Sequence, residues 1–170
     1  ALFLIKQMSE LIRDKLVLQS PAKLNLFLHI VGRRSDGYHL LQSAFQLIDW
    51  CDTITLTRIT ENEIRHTNPL PGVLPKDDLV VRAATLLKDF CQVKSGVEIH
   101  LKKEIPMGAG LGGGSSDAAT TLIGLNALWN LQLDNDTLCK LGLQLGADVP
   151  FFIFGKNAFV EGIGEQMQEI

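Results

Sequence analysis

The chain of 170 residues is 46% apolar and 21% charged, enough to bury a sizeable core in one domain or slightly more. A net charge of -3 without any long run of Lys or Arg argues against a broad nucleic-acid surface. Three widely spaced cysteines, Cys51, Cys91 and Cys139, form no CxxC pair, which indicates neither a zinc site nor a disulfide framework and fits a reducing compartment.

In chain order, the opening ALFLIKQMSELIRDKL is apolar for only five residues before charges interrupt it. That is too short for a signal-peptide core, and no later run could span a bilayer, so a soluble, cytoplasmic protein is expected. From Lys15 to Val31, apolar residues mostly alternate with others, predicting one or two strands interrupted near Ser20 and Pro21. GRRSDGYH is a turn-rich bend, and Leu40 to Trp50 is apolar without a clear period. Asp52 to Ile59 has strand composition, and Asn68 to Pro75 reads as loop. Asp78 to Phe90 carries Leu79, Ala83, Leu86, Leu87 and Phe90 at helical spacing behind aspartates. GVEIHL alternates as a strand, and Ser116 to Trp129 reads as a helix. Asp134 or Asn135 caps a further helix ending near Gly146, and Phe151 to Phe154 and Ala158 to Val160 are short strand candidates. Strands and helices mixed irregularly, with no internal repeat, favour an α+β fold over a doubly wound sheet.

Between the GVEIHL strand and the next helix lies PMGAGLGGGSSDAAT, with five glycines from Gly108 to Gly114. Glycine clusters are often plain turns. This one, however, opens onto a helix beginning with Ser115, Ser116 and Asp117, which are helix-start residues. Helix N-termini present free N–H groups and partial positive charge, and glycine lets backbone approach phosphate oxygens. Gly108, Gly110 and Gly113 match the GxGxxG dinucleotide fingerprint, with Asp134 about twenty residues on. The preceding strand alternates and ends in Lys102, Lys103 and Glu104, unlike the buried first strand of that fold, so this match reads as accidental. A Walker loop fails because no GK[ST] closes the motif.

PMGAGLGGGSSDAA resembles the second motif of the GHMP kinases, the superfamily of galactokinase, homoserine and mevalonate kinases. SPAKLNLFLHIVGRRSDGYHLLQS (20–43) and LGLQLGADVPFFIFGKNAFVEGIGE (141–165) are similar to segments of one family within it, the 4-diphosphocytidyl-2-C-methyl-D-erythritol kinases of non-mevalonate isoprenoid biosynthesis. The resemblance runs from about Lys15 to the end. It implies an N-terminal GHMP kinase domain, ribosomal-protein-like, with a mixed sheet and helices packed on one side. It further implies ATP with Mg2+ and a small-molecule substrate, the cytidine diphosphate-linked methylerythritol, with neither nucleic acid nor membrane as partner. Residues 1–14 read as an N-terminal extension and 15–170 as the ATP-binding domain, with the family's C-terminal domain outside this chain.

Alcohol phosphorylation needs a group to take the hydroxyl proton and positive charge on the reacting oxygens. Alone, Asp148 reads as a cap or turn residue and Lys23 as an exposed strand lysine. The GADVPFF and PAKLN matches instead imply Asp148 as catalytic base and Lys23 as its orienting partner. The resemblance puts Pro106, Met107, Gly108, Ala109, Gly110, Leu111, Gly112, Gly113, Gly114, Ser115, Ser116 and Asp117 around the nucleotide, with Lys103 and Asp78 near its base and ribose. By type, Tyr38 and His39 in a turn read as solvent-facing; the resemblance instead implies Asn25, Tyr38 and His39 on the substrate side, Tyr38 offering a face for cytosine. Asp78 and Asp117 stand where asparagine is expected, which leaves Asp117 open between capping and nucleotide or metal contact; no metal-ligand cluster is visible. His29, His66 and His100 read as structural or surface residues. Another small-molecule GHMP kinase, or a non-catalytic nucleotide-binding module, are the alternatives.

Overall fold

The computed structural model describes residues 14–162 and 166–170. The expected N-terminal extension, apart from Asp14, and residues 163–165 of the last matching segment lie outside the described residues.

Two long strands, β1 (Lys15–Arg33) and β2 (His39–Ile59), form an antiparallel hairpin around the GRRSDGYH turn. In that turn the Arg34 N–H donates to the Tyr38 carbonyl at 2.7 Å, and Gly37 takes φ +92°. The interruption expected at Ser20–Pro21 is a register shift between Pro21 and Ala22 inside one continuous strand. Proline has no N–H for the ladder, so irregular pairing there is its natural place. The untyped stretch Leu40–Trp50 belongs to β2, where Ser43, Ala44 and Phe45 are buried in succession and no alternation survives.

The six-stranded sheet runs β3 (Ile64–His66), β4 (Gly96–Lys102), β2, β5 (Ala158–Gly162), β6 (Gln166–Glu169), with β1 also paired to β2. β3 and β4 are parallel, and the other pairs antiparallel. Along β4, Val97, Ile99 and Leu101 are buried while His100 and Lys102 face outward. Among the described residues, four helices cover the inward face: α1 (Leu79–Cys91), α2 (Gly113–Leu128), α3 (Asn135–Leu143) and α4 (Val149–Phe154). Asp78 caps α1 by accepting from Val80 N–H at 3.1 Å, and Asp134 caps α3 through Thr137 N–H at 2.8 Å. The core joins Leu18, Ile54, Leu56, Val97 and Ile99 of the sheet to Leu122 and Leu125 of α2 and Leu87 of α1. Burying each such side chain contributes roughly 1.5–3 kcal/mol.

The strand expected at Phe151–Phe154 is helix α4 instead. Pro150 sits in its first turn and Gly155, at φ +71°, ends it. A short apolar run buried on all sides carries no period to distinguish the two forms. The α+β reading and the mixed sheet with helices on one side hold. Among the described residues, no helix is long and apolar enough to cross a membrane.

Candidate active site

The glycine run leads from β4 into α2. Gly108, Gly110 and Gly112 adopt φ of 73°, 74° and 70°, a region that side chains with a Cβ avoid. At Gly112 space decides as well, because a Cβ there would lie 2.9 Å from Phe152 Cζ and 3.2 Å from Lys23 Cε. The Lys23 N–H donates to the Leu111 carbonyl at 2.9 Å and fastens the loop to β1. Gly112 is the N-cap of α2, and no side chain caps that end. An uncapped helix N-terminus with glycine on its approach suits a phosphate. The helix starts at Gly113, ahead of the expected serines, so Ser116 and Asp117 are buried residues of its first turns rather than caps.

A cavity of about 440 Å³ opens against the loop. Pro106 to Ser115 line it without a gap, joined by Lys103, Asp78, Asp117 and Asp148. Leu70, Val73, Leu79 and Leu101 supply an apolar side that fits a flat base. Ser116 lies behind the wall, its Oγ accepting from Ser20 Oγ at 2.8 Å.

Asp148 occupies the N-cap position of α4 yet makes no capping bond. Its Oδ2 lies 3.3 Å from Lys23 Nζ; the lysine side chain is 3% exposed and the aspartate 38%. The carboxylate therefore reaches solvent and cavity while the ammonium stands behind it. Lys23 Nζ also donates to Asn25 Oδ1 at 2.6 Å and lies 4.0 Å from the centre of the Phe45 ring. Lys23 is thus buried, not the exposed strand lysine its type suggests. Tyr38 and His39 are exposed at the hairpin turn and do not line the cavity.

Lys103 Nζ bridges two aspartates, Asp52 Oδ2 at 2.5 Å and Asp117 Oδ2 at 3.0 Å. Burial works against the charge on Lys103, but its bonds to Asp52 and Asp117 outweigh it and hold the ammonium above the usual lysine range. Burial pushes the Asp117 carboxyl up to about 7, with Lys103 pulling it down and the Asp52 charge adding to the rise. Asp78 Oδ2 meets His66 Nδ1 at 2.7 Å, both side chains buried, which makes His66 the structural residue expected.

Residues 78–156 carry a GHMP kinase N-terminal domain. The family of GHMP kinases N terminal domains matches residues 78–156, from the cap of α1 past α4. The chain is 78% identical over 157 residues to the 4-diphosphocytidyl-2-C-methyl-D-erythritol kinase of Polynucleobacter necessarius, covering 92% of this chain and 53% of that protein. Against the protein of the same name from Burkholderia mallei, identity is 60% over 151 residues, 89% of this chain and 52% of the relative. A crystal structure of 4-(cytidine 5'-diphospho)-2C-methyl-D-erythritol kinase superposes with a TM-score of 0.80 at 39% identity, over 91% of this chain and 55% of that one. Mevalonate kinase from Methanococcus jannaschii, 17% identical with a TM-score of 0.68, shares the fold. The chain spans about half the length of the curated relatives it matches.

Sequence reasoning missed Asp52. It is fully buried, and its Oδ1 accepts the Glu104 and Ile105 N–H groups at 2.5 and 2.8 Å while Oδ2 holds Lys103. One carboxylate thereby shapes the approach to the glycine loop and anchors its lysine. The signal was present: Asp52 shares the strand period of Ile54 and Leu56, so a charge falls on the core face.

Proposed function

We propose that the whole protein is a kinase that transfers the γ-phosphoryl group of ATP to the 2-hydroxyl of 4-diphosphocytidyl-2-C-methyl-D-erythritol. The observation that carries this reading is the Lys23–Asp148 pair, 3.3 Å apart, beside a glycine cradle that runs into the start of α2. Asp148 takes the hydroxyl proton as the substrate oxygen bonds to the γ-phosphorus and the bond to the β-phosphate oxygen breaks. Lys23, held from behind by Asn25 and Phe45, orients the carboxylate and stabilises the reacting oxygen. Loop amides from Gly108 to Ser115 cradle the phosphates, and Lys103 adds positive charge beside them.

The residues present fit ATP, since the cradle is built of positive-φ glycines and one position, Gly112, has no room for a Cβ. Among the described residues, no group of three or more His, Cys, Asp or Glu side chains is set to hold a metal ion. Magnesium in this reading travels with the nucleotide and neutralises its phosphates. Asp78 and the apolar side of the cavity face the base, and Asn25, Tyr38 and His39 serve the cytidyl substrate. The reading puts the reaction in the cytoplasm, in keeping with three unpaired cysteines.

The test is ATP-dependent phosphorylation of the cytidyl substrate by the full-length protein, with mevalonate and homoserine as competing acceptors. Turnover of the cytidyl compound alone is expected. Turnover of another alcohol in its place would keep the kinase and replace the substrate.

A further inference from the structure

Asp117 sits in the early part of α2, 2% exposed, on the wall of the cavity. Its Oδ2 meets Lys103, whereas Oδ1 is buried and has no hydrogen-bond partner in the structure. Asp52, across Lys103, is engaged on both oxygens. The cluster therefore joins two carboxylates to one ammonium, drawing on β2, the link after β4, and α2. With both acids ionised it carries one negative charge in excess. Other charges face the same space: Asp77 and Asp78 at the head of α1, Asp148 before α4, and Lys23 of β1 behind Gly112. Ser20 of β1 and Ser116 contribute neutral hydroxyls bonded to each other, and the Ser20 hydroxyl also pulls the Asp117 carboxyl down, against the larger effect of burial.

We propose that Asp117 takes up a proton when a nucleoside triphosphate occupies the cavity and stays a neutral carboxylic acid in the complex. This rests on the nucleotide reading given above. A triphosphate brings several negative charges to a wall that is already acidic and poorly solvated, where like charges interact strongly. Oδ1 is the one carboxylate oxygen of the cluster that is buried without a hydrogen-bond partner, so the proton goes there. One O–H bond forms, the proton comes from solvent, and no bond of the nucleotide breaks. Lys103 is then balanced by Asp52 alone and keeps more of its positive field for the phosphates. The group already titrates near neutrality without ligand, so the uptake falls in an accessible pH range.

The experiment is calorimetric titration of the full-length protein with magnesium-ATP, without acceptor, in buffers of different ionisation enthalpy. At pH 8 the wild type is expected to take up roughly one proton per bound nucleotide, and Asp117→Asn none. The apparent Kd of the wild type should rise by up to about tenfold per pH unit above 8, while that of the variant stays flat. Equal proton counts in the two proteins overturn the proposal, as does uptake lost only in Asp148→Asn. ATP binding without proton uptake leaves the nucleotide reading intact and removes this one; no binding at any pH removes both. If Asp117→Asn does not fold, infrared difference spectra of the wild type decide. A new protonated-carboxyl C=O band on adding ATP at pH 8 supports the assignment, and its absence ends it.

Discussion

Lys23 shows how a single residue type is turned against its usual habit. A buried ammonium is costly unless it is paired, and here Asp148, Asn25 and the Phe45 ring all receive it. Asp148, being partly exposed and free of capping duty, can release Lys23 toward a substrate oxygen without unravelling α4. Asp148→Asn in the full-length protein should therefore leave folding intact and lower kcat roughly 10²–10⁴-fold, with KM for ATP little changed. Steady-state kinetics and circular dichroism check this, and near-normal turnover would strip Asp148 of its role. Gly112→Ala meets two obstacles at once, a left-handed φ and a neighbour at 2.9 Å. It should cost about 1–3 kcal/mol in chemical denaturation and weaken ATP binding measured by calorimetry. A variant as stable and as tight as the wild type would mean that the loop is not packed against Phe152 as described.

At the scale of elements, the position of α2 decides the site, because its first turn lines the cavity. Its close seat on the sheet depends on Gly124, where a Cβ would lie 2.5 Å from Leu18 Cδ1 and 2.6 Å from Leu56 Cδ1. Gly124→Val should lift the helix from β1 and β2 and destabilise the protein by about 1–3 kcal/mol, read from the urea midpoint at unchanged m. α1 depends on its cap in a different way. Asp78→Ala removes the bond to Val80 N–H and leaves buried His66 without its partner, so its cost should exceed the ~1 kcal/mol typical of a lost cap. Thermal melts of Asp78→Ala and Asp78→Asn separate the two parts, since asparagine retains the cap. Helices α1 and α3 were legible in the sequence because aspartate caps and apolar spacing act within one turn. Helix α4 and the first half of β2 were not. Helix α4 is buried all round, so no solvent-facing side imprints a period, and in β2 the three buried residues Ser43, Ala44 and Phe45 fall in succession and break the alternation.

For the whole molecule, the Asp52–Lys103–Asp117 cluster couples stability to pH. Asp117 rises from the ordinary 3.8 to about 7 on folding, so between those values the folded protein holds a proton that the unfolded chain has lost. Stability from this group is therefore present at low pH and falls as pH rises through that window. The melting temperature should drop by several degrees more between pH 5 and pH 8 in the wild type than in Asp117→Asn. Parallel curves would show that the carboxyl titrates alike in both states. By itself, the sequence determined the glycine loop and the α+β class, because local backbone demands are written in consecutive residues, whereas the candidate pair Lys23 and Asp148 came from the family resemblance and not from any local pattern. Tertiary structure alone decided that Lys23 is buried against Phe45, that Asp52 anchors Lys103, and that Asp117 keeps an unpaired oxygen. Those outcomes depend on groups dozens of residues apart meeting where water is excluded, and no local pattern encodes such a meeting.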